Sequence, residues 1–153
     1  MFWIGLIVGI VVTVLALMVI LPRKMFLVDQ SRLSFTDTAE KIVESTAKNN
    51  WSMPNQYDLQ ATLQKHGYEV KPVRVFSICK PELANKILEG SQERVVSALM
   101  PCRLAVYEAK DGKTYVSRLN APFFSKFLNR KIKNAMVAAG AETEMILESV
   151  LKK

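Results

Sequence analysis

The sequence predicts an α+β fold, a small antiparallel or mixed sheet backed by helices and preceded by one transmembrane helix. Three observations predict it. Residues 1–21, MFWIGLIVGIVVTVLALMVIL, carry no charged side chain. Between Val73 and Leu119, strand-like runs alternate with a short helical run and a hairpin signal. From Pro122 onward the apolar residues recur at helical spacing. At 153 residues there is room for one domain and an extra segment. The chain therefore divides into a transmembrane helix at 1–22, a connector at 23–32, and an α+β domain at 33–153 ending in an amphipathic helical region.

The first element is read from length and composition. About twenty apolar residues at ~1.5 Å each match the ~30 Å hydrocarbon core of a bilayer. Pro22, Arg23 and Lys24 close the run abruptly. A cleavable signal would want a basic start, a shorter apolar run and a small-residue cleavage site. This segment starts Phe2-Trp3 and ends Val-Ile-Leu-Pro, so a retained span is expected. Arg23, Lys24 and Arg32 follow it, and by the positive-inside rule the globular part faces the cytoplasm. A signal-anchor facing the periplasm or exterior is the alternative.

Met25 to Phe35 reads as a connector running into a strand, with Phe26, Val28, Leu33 and Phe35 as its apolar positions. Asp37 to Glu40 has the spacing of a capping box, followed by a helical stripe of Ala39, Ile42, Val43 and Ala47 that Asn49-Asn50 ends. Trp51 to Tyr57 contains Pro54 and reads as a loop or short edge strand. Asp58 caps a short helix with Leu59 and Leu63 expected inward, and Gly67 ends it. Val73 to Ile78 is a β-rich run. Pro81 sits where a helix starts, and Leu83, Ala84, Ile87 and Leu88 continue it to Gly90. A strand from Cys102 puts Cys102, Leu104 and Val106 on one face. Asp111-Gly112 offers positive φ for a tight hairpin, returning through Thr114, Tyr115 and Val116. In the last region Phe124, Phe127, Leu128, Ile132, Ala135, Met136 and Ala139 form an apolar face. Lys126, Arg130 and Lys133 lie on another face, and Gly140 is expected to bend or divide the helix.

The segments ICKPELANKIL and LMPCRLAVYE resemble the domain-of-unknown-function 302 family of bacteria and archaea. Its pattern is Cys-x-Pro at a strand-to-helix junction, then Leu-x-Pro-Cys or Leu-Pro-Cys opening the next strand. Cys79 and Pro81 match the first part; Leu99, Pro101 and Cys102 match the second. The family often has Asn beside each cysteine, where this chain has Lys80 and Arg103. The resemblance covers roughly residues 33–119 and implies a small α+β domain, often paired as a dimer, in a bacterial or archaeal cell. It implies no activity.

The candidate chemistry lies in the thiols, Cys79 and Cys102, the only cysteines in the chain. Cys79 precedes a helix start and neighbours Lys80, a setting that lowers a thiol's pKa. Four readings stay open: small buried core residues, a disulfide, a redox pair, or thiolate ligands for a soft metal or haem. A ligand set needs further donors, with Met100, His66 or a dimer mate as candidates. A histidine at a helix end, as in Lys65-His66-Gly67, is ordinarily a partly exposed one. No phosphate loop, His-Glu metal motif or nucleophile elbow occurs, so an enzyme is the less favoured reading.

The formal charge of +7 lies wholly beyond residue 22. A basic domain tethered beside a bilayer is suited to anionic lipid, at about 1 kcal/mol per Lys or Arg near the surface. Arg23, Lys24, Lys126, Arg130 and Lys133 are the candidate membrane-surface residues. Nucleic acid is a weaker partner, since no zinc-finger spacing, RNP pattern or long basic arm is present. Two function classes result. One is a non-enzymatic membrane-anchored binding or accessory module, as a homodimer or within a larger membrane complex. The other is a metal, haem or redox cofactor protein using Cys79 and Cys102.

Overall fold

The structure is a computed structural model that describes residues 2–152. Met1, the start of the apolar run, and Lys153 lie outside the described residues. Helix α1 (Phe2–Met25) leads directly into β1 (Phe26–Gln30). Then come α2 (Phe35–Lys48), β2 (Ser52–Asp58), α3 (Leu59–Gln64), β3 (Val73–Cys79) and α4 (Pro81–Leu88). A 3-10 segment (Glu93–Leu99) precedes the β4 (Cys102–Glu108) and β5 (Thr114–Leu119) pair. The chain ends with α5 (Ala121–Phe124), a 3-10 turn (Ser125–Phe127) and α6 (Arg130–Leu147). The five strands form one antiparallel sheet in the order β1-β5-β4-β3-β2. This is the expected α+β fold with an N-terminal apolar helix.

Helix α1 is the one helix among the described residues long and apolar enough to cross a bilayer, and none of its most apolar stretch is buried. Its 24 residues span ~36 Å at ~1.5 Å each. The exit from α1 is pinned to the domain. The Asn120 backbone N–H donates to Met25 O at 2.8 Å, and Asn120 Nδ2 donates to Lys24 O at 3.0 Å.

The main core lies between one sheet face and the helices α2 and α6. It contains Ile42, Phe76, Ile78, Leu104, Val106, Val116, Ile146 and Leu147, all essentially inaccessible. A second cluster of Ile87, Val96, Ile132 and Ala135 joins α4, the 3-10 segment and the first half of α6. Among the described residues no helix packs over the other sheet face. Val28, Ser117, Ala105, Val75 and Tyr57 make one cross-strand row there, and Tyr107 stacks on Tyr115 with centroids 5.9 Å apart.

Several expected details differ. Helix α2 is capped by Ser34, whose Oγ accepts from Asp37 N at 3.2 Å while its hydroxyl donates to the Asp37 carboxylate at 2.7 Å. Asp37 is therefore the answering acid rather than the cap, and Leu33 and Phe35 leave the strand. Leu59 and Leu63 of α3 are more than one-third exposed, because that helix packs mainly against β3 and lies outside the main core. In the β4–β5 hairpin only Gly112 has positive φ, at 74°. The loop is a turn closed by Gly112 N–H to Ala109 O at 3.1 Å, with Asp111 Oδ1 accepting from Lys113 N at 3.0 Å. It is a longer loop with glycine at its left-handed position, not a two-residue turn. The last helical region breaks at Asn129, whose side chain caps α6 through Ile132 N, and not at Gly140. Helix α6 runs through Gly140, which faces α5 closely: an added Cβ would lie 3.3 Å from Pro122 Cδ.

Candidate functional site

The strand register gathers the chemistry at one end of the sheet. Phe26 opposes Leu119, Ile78 opposes Cys102, and Ser52 opposes Cys79. Because β1 starts where α1 ends, this is the end from which α1 leaves. The β4–β5 hairpin lies at the other end.

Beneath this end, between the helix-covered sheet face and α4, α5 and α6, lies a half-open cavity of about 850 Å³. Ile78, Leu104, Leu83, Ala84, Ile87, Ala135, Met136 and Ala139 make its walls predominantly apolar. Its volume has a local cause in the sequence. Helix α6 presents Ala135, Ala139 and Ala141 where larger side chains would fill the space. The main core occupies the half of the sheet nearer the C-terminal end of α6, so the cavity separates the two apolar clusters.

Both thiols line this cavity, as does Met100. Neither cysteine is in a disulfide. The expectation of an activated Cys79 meets the opposite electrostatics. Burial, and next the Glu82 carboxylate, push the Cys79 thiol above its ordinary value. Burial, and next Cys79 itself, push Cys102 up as well. Lys80 does not offset this, because its Nζ donates to Glu142 Oε2 at 2.6 Å. Trp51 Nε1 donates to the same oxygen at 2.9 Å. Lys80 and Trp51 together hold the Glu142 carboxyl below the usual range, against its partial burial. The other residue standing beside a cysteine, Arg103, places its guanidinium carbon 5.8 Å from the Tyr57 ring centroid on the uncovered face.

The cavity has one strongly polar corner that the sequence did not reveal. Arg118 is 6% exposed; its Nε and Nη2 donate to Glu144 at 2.6 and 2.7 Å, and its Nη1 donates to Asp29 at 2.8 Å. Burial opposes the guanidinium charge, but its hydrogen bonds to Glu144 and Asp29 outweigh this and raise its pKa. Arg118 and Glu144 both line the cavity. Two carboxylates on one guanidinium leave no free cation there to draw an anionic ligand inward.

The other expected residues lie elsewhere. His66 is exposed in the turn after α3, remote from the cavity lining. Among the described residues no three His, Cys, Asp or Glu side chains converge as a metal site. Arg23 and Lys24 occupy the last turn of α1. Lys126 lies in the 3-10 turn after α5, 5.9 Å from the Phe123 ring centroid, while Arg130 and Lys133 are exposed on the first turns of α6. The break at Asn129 therefore takes Lys126 off the helix face it was expected to share.

The site defines a class: a single-sheet α+β domain with a largely apolar cavity lined by two thiols. The chain belongs to the family described as domain of unknown function DUF302, whose model matches residues 28–152. It is similar in fold to the crystal structure of an uncharacterized conserved DUF302 protein from Bacillus stearothermophilus. That likeness has a TM-score of 0.72 at 18% identity, covering 81% of this chain and 96% of the other. No curated protein matches the chain.

Proposed function

We propose that this protein is a membrane-anchored, non-enzymatic binding module that holds an apolar ligand in the cavity beneath the sheet. The cavity carries this reading. A volume of about 850 Å³ falls within the ~300–1,000 Å³ typical of small-molecule sites, and its walls are apolar with few polar groups. The anchor reading rests on α1, whose length and composition suit one bilayer span. By the charge rule the domain faces the cytoplasm, with Arg23 and Lys24 at the lipid surface.

The test uses the full chain with Trp3→Phe, in lipid vesicles, so that Trp51 is its only tryptophan. Trp51 is a wall residue. A brominated medium-chain alkanol added from water should quench it saturably, and Ala139→Phe should abolish the saturable part by filling the cavity. Linear, unsaturable quenching would overturn the reading. The anchor is tested separately: the chain should remain with membranes after a high-salt wash, which would release a protein held only by its basic residues.

A second reading keeps Cys79 and Cys102 as ligands of a metal, haem or redox cofactor, supported by their shared cavity with Met100. Stoichiometric copper, iron or zinc, or a Soret band, in the purified protein would favour it. The partner proposal, a homodimer or a larger membrane complex, attaches to the uncovered sheet face, where Phe26 and Val28 are about half exposed. Light scattering that returns a single copy would set the homodimer aside.

A further inference from the structure

We infer that the cavity takes an alkyl chain of a membrane lipid, admitted directly from the leaflet that α1 leaves; this rests on the membrane-anchored reading above. The argument is one of position. Met25, the last residue of α1, is itself a cavity wall, and Leu27, opposite Arg118, continues that wall into β1 on the helix-covered face. If the hydrocarbon core ends at Pro22, Met25 lies ~5 Å further along the helix. The headgroup layer is ~5–7 Å thick on each side, from the difference between the whole bilayer and its core. The cavity wall therefore begins inside the headgroup layer and not above it.

The attachment also holds that position. Asn120 bonds the carbonyls of both Lys24 and Met25, so α5, which follows directly, is held beside the exit of α1. Pro122 and Phe124 of α5 line the cavity on that side. The outer elements nearby suit an interface. Phe127 is 71% exposed beside Lys126, an aromatic and a cation at the level where such pairs settle in membranes.

The interior suits a chain and not a headgroup. Arg118 is already matched by Glu144 and Asp29 and Lys80 by Glu142, while Arg103 turns its guanidinium to the Tyr57 ring. An alkyl chain needs none of them. A phosphate would remain outside with Arg23 and Lys24. The cavity then passes beneath the strands from β1 to Trp51, which precedes β2 at the opposite edge of the sheet. Four strand spacings of ~4.8 Å make that path ~19 Å.

This path supplies the test. Full-length Trp3→Phe protein is reconstituted in phosphatidylcholine vesicles with or without bromine on the acyl chains. Trp51 emission should fall in the brominated vesicles, although Trp51 lies across the sheet from the span. Ala139→Phe, or Ala84→Leu from the facing helix, should restore the emission while the near-ultraviolet circular dichroism stays native. Unquenched Trp51 in brominated vesicles overturns the inference. Quenching that both folded variants leave intact also overturns it, because the lipid would then be meeting the outside of the domain. If the soluble brominated alkanol quenches saturably and the brominated lipid does not, the cavity reading survives and only the lipid source fails. If neither quenches, both fail.

Discussion

Arg118 and Glu144 are joined by two parallel hydrogen bonds of 2.6 and 2.7 Å, tying β5 to α6 at the corner of the cavity. Arg118 is buried, while Glu144 remains close to half exposed. The guanidinium has been taken out of water, so its partners carry the cost of keeping it there. Glu144→Ala should lower stability by about 1.5–3 kcal/mol, the range for hydrogen bonds to a charged group. Replacing both residues with apolar ones, Arg118→Met with Glu144→Leu, should cost less than Glu144→Ala alone, because the single variant leaves a buried guanidinium held by Asp29 only. Urea unfolding followed by Trp51 fluorescence in the Trp3→Phe background measures both. Equal losses would mean that the pair does not govern burial of the arginine.

The Glu142 carboxyl gives a pH dependence of known sign. Its folded pKa is depressed below the ordinary 4.5 by Lys80 and then Trp51. As pH falls, the unfolded chain therefore takes up this proton before the folded one does. The contribution of Glu142 is fully present above its ordinary value and is lost as pH falls through the depressed folded value. The stability difference between the natural protein and Glu142→Gln should be constant at neutral pH and shrink below about pH 4.5. A difference that grew on acidification would contradict the Lys80–Glu142 pairing.

The thiols should be slow nucleophiles. Burial raises both Cys79 and Cys102 above the ordinary value of 9.0. Alkylation by iodoacetamide at pH 8, read by mass spectrometry, should be slower at both than at a free thiol and should accelerate above pH 9. The same shift makes folded stability decline as pH rises past 9, since the unfolded chain then releases protons that the folded one retains. Rapid alkylation at neutral pH would revive an activated, redox-type cysteine.

Gly112 tests the hairpin. At φ 74° with open space around its Cα, any penalty for a side chain there is conformational and not steric. Gly112→Val should cost about 1–3 kcal/mol, whereas Gly112→Asn should cost much less, because asparagine tolerates the left-handed region. Comparable thermal midpoints for the two variants would argue against a left-handed position.

Local physics made much of the fold legible. The uncharged run before Pro22, the Cys79-Lys80-Pro81 strand-to-helix junction, and the alternation Cys102, Leu104, Val106 each depend on a few neighbouring residues. All three appear where expected. The errors were also local. The capping box is Ser34 with Asp37, three residues before the expected Asp37 with Glu40, and the last helical region breaks at Asn129 and not at Gly140.

What the sequence by itself determined was the apolar helix, the strands and helices, and the two cysteines at strand ends. Periodicity and turn chemistry act over a few residues and can be read along the chain. Only the tertiary structure decided that the ends of all five strands converge, with Met25, Cys102, Cys79 and Trp51 around one cavity. Ala135, Ala139 and Ala141 looked like ordinary helix residues, because a small residue shows no vacancy until the opposite wall is in place. Arg118, Asp29 and Glu144 looked like scattered charges for the same reason. Their attraction depends on separation and burial in space, and residues 29, 118 and 144 become neighbours only when β1, β5 and α6 pack together.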